Sequence, residues 1–116
     1  MARTPHEIFQ AHSEALARAD VTELLRDYAE DAVLLTSDGP ITGRRGIGEF
    51  YRGAFAALPQ ANFTLSACVF AQDALLIRWS ATSTAARIEN AVDTFVFADG
   101  LIRLQTIVFE LQALTE

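Results

Sequence analysis

The chain has a single cysteine, Cys68, among its 116 residues, so no disulfide can close within it. Cys68 lies in the apolar run SACVFA and reads as a small core residue. Two histidines and one thiol make no zinc pattern, and the sequence implies neither a metal nor a cofactor. Long apolar runs are missing too. None approaches the roughly 20 residues a membrane span needs, and the opening MARTPHEIFQ lacks the apolar centre of a signal peptide. Positive charge is scarce: 9 Lys and Arg stand against 15 Asp and Glu, a net charge of -6. Nucleic acid and anionic membrane both need a basic face, so neither is an expected partner. Arg44, Arg45 and Arg52 do cluster, but at a spacing that reads as a solvated helix face. A soluble cytoplasmic protein is the expectation. No repeat, linker or low-complexity stretch interrupts the chain, which reads as one domain over 1–116.

What is present is a core-forming composition, 51% hydrophobic, in a helical half followed by a β half. Thr4-Pro5-His6-Glu7 is a helix start, with Thr as cap, Pro in the first turn and Glu three residues after the cap. The helix should run to about residue 19, with Ile8, His12, Ala15 and Leu16 on one stripe. Asp20 and Glu23 open a second, short helix over about 21–29, with Leu24, Leu25 and Tyr28 inward. DAVLLT (31–36) reads as a strand and Ser37-Asp38-Gly39-Pro40 as a turn. A third helix over about 45–58 places Ile47, Tyr51, Ala54 and Leu58 on one face, flanked by Phe50 and Phe55. Strands follow over about 63–71, 74–83, 87–97 and 101–112. Helices segregated from an antiparallel meander make the class α+β.

One residue conflicts with this pattern. In VDTF, Asp93 lies two places before Phe95 and four before Phe97, so all three project from one strand face. A buried carboxylate is costly unless it finds a donor or shifts its pKa. The residues alone leave two readings open, an acid–base group in a pocket or a structural Asp bonded to a neighbour. His12, between Ile8 and Leu16 on the inner stripe, is the candidate partner. A paired Asp93 would be ionised and His12 more easily protonated. Of Arg78 and Trp79 only one can share the Asp93 face. A hairpin turn at Thr84-Ala85 would put Arg78 there, and a one-residue slip would put Trp79 there instead. An apolar pocket favours the indole. No nucleophile elbow is present, and Gly43, Gly46, Gly48 and Gly53 do not form a phosphate loop after a strand.

The segments ALARADVTELLRDYAEDAVLLTSDGPITGRRGIGEFYRGAFAALP and VDTFVFADGLIRLQTIVFE resemble the SnoaL-like branch of the nuclear transport factor 2 superfamily, from about His12 to Glu110. The resemblance implies a cone-shaped α+β barrel. Three N-terminal helices pack in a strongly curved, mostly antiparallel sheet around a deep apolar pocket, and the open sheet face often forms a homodimer. Among relatives, the ketosteroid isomerases supply the comparison of residues. Asp93 matches their protonated aspartic acid, which donates to the substrate oxyanion. Tyr28 and Tyr51 match tyrosines that support the oxyanion tyrosine in some members. That tyrosine's own position is His12, and the position of the general base is Thr36, with Asp38 two residues on.

The resemblance therefore implies Asp93, His12 and Tyr51 as catalytic candidates. The implied ligand-contacting set is Tyr28, Thr36, Phe50, Phe55, Leu58, Trp79, Phe95, Gln105, Ile107 and Phe109. The implied activity is cofactor-free isomerisation, cyclisation or dehydration of a small hydrophobic carbonyl compound by proton transfer. The alternative is a non-catalytic ligand-binding or dimerisation module. An outer sheet face carrying Val92, Thr94, Val96, Leu104, Thr106 and Val108 is too apolar for a monomer, and a homodimer is expected.

Overall fold

A computed structural model describes residues 2–114. Helix α1 (Pro5–Ala17) begins at a reciprocal cap: the Thr4 hydroxyl accepts from the Glu7 amide at 3.2 Å, and the Glu7 carboxylate accepts from the Thr4 amide at 2.8 Å. Helix α2 (Val21–Leu25) starts on Asp20, whose carboxylate accepts from the Glu23 amide. It is shorter than the sequence suggests, because tertiary pairing takes the following residues. The Asp27 carbonyl accepts from the Ile102 amide at 2.7 Å, and Tyr28 is already in strand β1 (Tyr28–Thr36). Tyr28 is thus a strand residue, not a helix residue. The Asp27 carboxylate is held by Arg3 at 2.8 Å, which ties the N-terminus to this junction.

The turn at 37–38 leads into a short strand the pattern did not reveal, β2 (Gly39–Thr42), and then into α3 (Gly43–Ala57). Arg44 of the basic cluster reaches back to the Tyr28 carbonyl at 2.8 Å. Strands β3 (Asn62–Ala71), β4 (Ala74–Thr82), β5 (Ala86–Ala98) and β6 (Leu101–Val108) form the expected meander. The region read as one strand over 101–112 divides, and β7 (Leu111–Ala113) pairs with the start of β5. Strand order is β2-β1-β6-β5-β4-β3, antiparallel except where β1 runs parallel to β6. The sheet is strongly curved around the helices but open, with edges at β2 and β3, so the expected barrel does not close. Cys68 lies on edge strand β3 and is exposed, not in the core.

Pairing between β4 and β5 contains the feature that orients the site. Near the turn Thr82 pairs with Arg87 and Ala81 with Ile88, so the hairpin turns at Thr84-Ala85. Beyond that, Trp79 pairs with Ala91 and Ile77 with Asp93. Two residues of β5, Glu89 and Asn90, therefore face one residue of β4, Ser80. This is a β-bulge, and Asn90 takes the left-handed conformation at φ 56°. Asn is one of the few side chains tolerant of that conformation. The bulge supplies the one-residue slip: Trp79 joins the Asp93 face and Arg78 is exposed on the other side.

The concave face carries Leu75, Phe95, Gln105 and Leu34 in one cross-strand row, with Ile77, Asp93 and Ile107 in the next. Ile8 and Ala15 of α1, Leu24 of α2, and Ile47 and Tyr51 of α3 pack onto these rows. Among the described residues no helix is long and apolar enough to cross a membrane.

Candidate functional site

Between α1, α3 and the concave sheet lies a cavity of about 660 Å³. Its walls are apolar for most of their extent, with Phe50, Phe55 and Leu58 from the α3 side, Ile77 and Trp79 from β4, and Ile107 and Phe109 from the end of the sheet. His12, Tyr51 and Asp93 are its ionisable groups.

Asp93 is held from both sides by residues diagonal to it on the neighbouring strands. The Trp79 indole Nε1–H donates to Oδ1 at 2.8 Å, and the Gln105 amide Nε2–H donates to Oδ2 at 2.9 Å. The geometry follows from the register: Asp93 pairs with Ile77 and Ile107, so Trp79 and Gln105 each stand two residues away on the same face. Burial raises the Asp93 pKa from 3.8 to about 6, and the two N–H donors oppose that rise by favouring the anion. At neutral pH the group is therefore a carboxylate, poised to take a proton. This differs from the neutral, donating carboxylic acid to which its sequence position corresponds.

Gln105 is fully buried and connects Asp93 to the tyrosines. Its carbonyl accepts from the Tyr28 hydroxyl, and its amide donates to the Tyr51 oxygen at 3.1 Å as well as to Asp93. The two phenol oxygens lie 2.9 Å apart. With the Tyr28 hydrogen on the Gln105 carbonyl, the Tyr51 hydrogen can go to Tyr28, more weakly to the same carbonyl at 3.4 Å, or to a molecule in the cavity. Burial raises both phenol pKa values, for Tyr51 with a further push from the Asp93 charge, so both stay protonated and can donate.

His12 reaches the same cavity, but among the described residues no hydrogen bond or ion pair joins it to Asp93. Its ring packs among Phe95, Tyr28, Phe9 and Tyr51, with centroids 5.3–6.3 Å away. Its Nδ1 is buried without a partner. The surroundings are apolar, and burial lowers its pKa from 6.5 to about 4, the reverse of the rise that pairing would bring. It is a neutral imidazole at pH 7.

Other candidates divide between lining, support and absence. Phe50, Phe55, Leu58, Trp79, Ile107 and Phe109 line the cavity with His12, Tyr51 and Asp93. Tyr28, Phe95 and Gln105 stand behind the wall, where Tyr28 and Gln105 act on the lining groups through hydrogen bonds. Thr36 lies away from the cavity: its hydroxyl donates to the Gly39 carbonyl and accepts from the Asp38 amide. Asp38 is exposed in that turn. The position that the resemblance matched to a general base thus lies in a surface turn of this chain. Phe9, Ser13 and Asn62 also line the cavity. Phe9 sits three residues before His12, so helical spacing carried that signal; nothing in the pattern marked Asn62.

The chain belongs to the SnoaL-like domain family, whose model matches residues 9–105. No curated protein matches it. Solved structures with the same fold include IdmH, a candidate polyketide cyclase from Streptomyces antibioticus, with 17% identity, 93% of each chain covered and a TM-score of 0.77. A candidate ketosteroid isomerase from Kribbella flavida has 18% identity over 95% of this chain and 79% of its own, with a TM-score of 0.75. A nuclear transport factor 2-like protein of unknown function from Cytophaga hutchinsonii has 10% identity over 95% and 93%, with a TM-score of 0.77. At these identities the likeness is one of fold.

Asp93 and His12 act on stability with opposite signs. The raised Asp93 pKa contributes stability that is full below about 3.8 and lost as pH rises through about 6. The lowered His12 pKa contributes stability that is full above about 6.5 and lost as pH falls towards 4. Between pH 4 and 6 the two slopes largely cancel. Relative to wild type, Asp93→Asn should lose stability as pH falls across that window and His12→Phe should gain it, each on the order of 3 kcal/mol. Urea unfolding at stepped pH reads both, and profiles parallel to wild type would contradict the assignment.

Proposed function

Taking membership of the SnoaL-like family as the starting point, we propose that the chain binds a small hydrophobic carbonyl compound and moves a proton on it without a cofactor. The observation that carries this reading is the Asp93 carboxylate in the wall of an apolar cavity, with its pKa near 6. A base works best when its pKa lies near the operating pH. Asp93 takes a proton from the carbon beside the carbonyl: the C–H bond breaks, an O–H bond forms on Asp93, and the electron pair moves to the carbonyl oxygen. The Tyr51 hydroxyl stabilises that oxyanion by donating to it. Where a carbon–carbon double bond adjoins the deprotonated carbon, the intermediate is a dienolate, and return of the proton to its far carbon shifts the double bond into conjugation with the carbonyl and restores the carboxylate. Trp79 and Gln105 fix the direction of the carboxylate, and Tyr28 with Gln105 fixes that of the Tyr51 hydroxyl. His12 contributes a neutral polar wall; it is not the ionic partner of Asp93 in this scheme.

Hydrogen–deuterium exchange tests the proton transfer without knowledge of the natural substrate. With tetralone, an enolisable bicyclic ketone, in deuterium oxide, the wild type should speed exchange at the carbon beside the carbonyl. Asp93→Asn should slow it by about 10²–10⁴-fold while the ketone still binds. Exchange no faster than in buffer, or equal in the two proteins, would leave the non-catalytic binding module as the reading.

We also propose that the chain forms a homodimer through the convex sheet face. Leu35, Thr106, Thr94, Leu76 and Val69 make one continuous row across five strands, and Val92 and Val108 pair in the next. Leu76 is 45% exposed, Val69 57% and Val108 59%, an apolar patch that a second copy would cover. Light scattering at micromolar concentration should give twice the chain mass for wild type and a monomer for Val108→Glu. A monomeric wild type would remove the proposal.

A further inference from the structure

The cavity has a charge asymmetry that the proton-transfer scheme does not use. Its lining holds one carboxylate and, among the described residues, no Lys or Arg. Arg18 lines a smaller adjoining recess, which shares Leu16, Phe55 and Leu58 with the cavity wall. His12, the only other lining group able to carry positive charge, is kept neutral by burial and has an unpartnered Nδ1. Asp93 is therefore a buried anion stabilised by two neutral N–H donors and by no opposite charge. Such an anion is under-compensated, and a cation that reaches it gains more than it would in water. Around the cavity stand the faces and edges of Tyr51, Phe50, Phe55, Phe109 and Trp79, and rings of this kind also attract cations.

We propose that Asp93 makes the cavity select by charge, taking apolar molecules that carry a protonated amine and excluding the matching carboxylates. This rests on the reading of the cavity as a ligand site, and it narrows the ligand to apolar amines. The ammonium donates to the lone pairs of Asp93 that Trp79 and Gln105 leave free. A carboxylate in the same place meets a like charge in a setting of low polarity.

The preference depends on pH through Asp93 alone in the neutral range. The titratable groups that act on or share the cavity with Asp93 are Tyr28 from β1, Tyr51 from α3 and, elsewhere on the lining, His12 from α1; β4 and β6 present Ile77, Trp79, Gln105 and Ile107, none of which titrates. His12 is already neutral and the phenols stay protonated throughout.

Trp79 is the only tryptophan in the chain and lines the cavity, so its fluorescence reports occupancy directly. The test uses three adamantane probes of one shape: adamantylmethylamine, adamantanemethanol and adamantanecarboxylate. At about pH 7.5 the amine should bind at least about tenfold tighter than the alcohol, and the carboxylate at least about tenfold weaker. Lowering the pH to about 5 protonates most of Asp93 and should cut the amine's advantage over the alcohol by about tenfold. Asp93→Asn should do the same at the higher pH; the pH series on wild type gives the answer should that variant not fold. Alcohol and amine binding equally at both pH values, or carboxylate binding as well as the amine, would overturn charge selection and leave the ligand site standing. Failure of all three probes to bind at millimolar concentration would overturn the ligand site itself, and charge selection with it.

Discussion

The two N–H donors on Asp93 are the constraint on which the site depends. A carboxylate inside an apolar wall is stable only if its lone pairs are occupied. Here the donors come from the two strands that flank it, Trp79 on β4 and Gln105 on β6. Neither position is free to move. Trp79 faces inward only because the bulge at Asn90 shifts the β4–β5 register by one residue, and Gln105 is pinned by Tyr28 and Tyr51 on its far side. A single amide orientation satisfies all of these partners: the nitrogen points to Asp93 and Tyr51, the carbonyl to Tyr28. The site is therefore a property of strand register, with the helices supplying His12 and Tyr51.

This arrangement sets the electrostatics of the cavity. Two ionisable groups, Asp93 and His12, share one apolar space without pairing, and burial moves each towards its neutral form. Asp93 retains its charge at pH 7 because its two donors offset part of the desolvation. His12 has no such help and stays neutral. The outcome is one uncompensated negative charge beside a phenol that can donate, which is a combination suited to removing a proton and holding the oxygen that results.

Much of this was legible in the sequence. The capping signals at Thr4 and Asp20, the meander turns and the inward stripe of Ile8, His12 and Ala15 follow from local rules, and the alternation in VDTFVF places Asp93 inside. The resemblance over His12 to Glu110 brought the fold and singled out Tyr28 and Tyr51, though not their bond to each other. Other features depend on tertiary pairing. Tyr28 leaves the helix because β6 claims its backbone, and β2 exists because the turn at 37–38 lets four residues fold back on β1. The choice between Arg78 and Trp79 turned on a bulge whose one local trace is an Asn suited to positive φ. The Asp93–His12 pair did not form because strand neighbours reach Asp93 first. Thr36 fell outside the cavity because its strand ends in a surface turn.

The central claim is that Asp93 is a buried carboxylate whose proton comes off near neutrality, inside a cavity and independent of His12. Carboxyl-carbon NMR of aspartate-labelled protein, with the resonance assigned by its loss in Asp93→Asn, reads this directly. A midpoint of about 6 that persists in His12→Phe is the result predicted here. A midpoint at or below the ordinary 3.8 would contradict the account, because it would mean that the carboxyl is either solvated or paired with a cation.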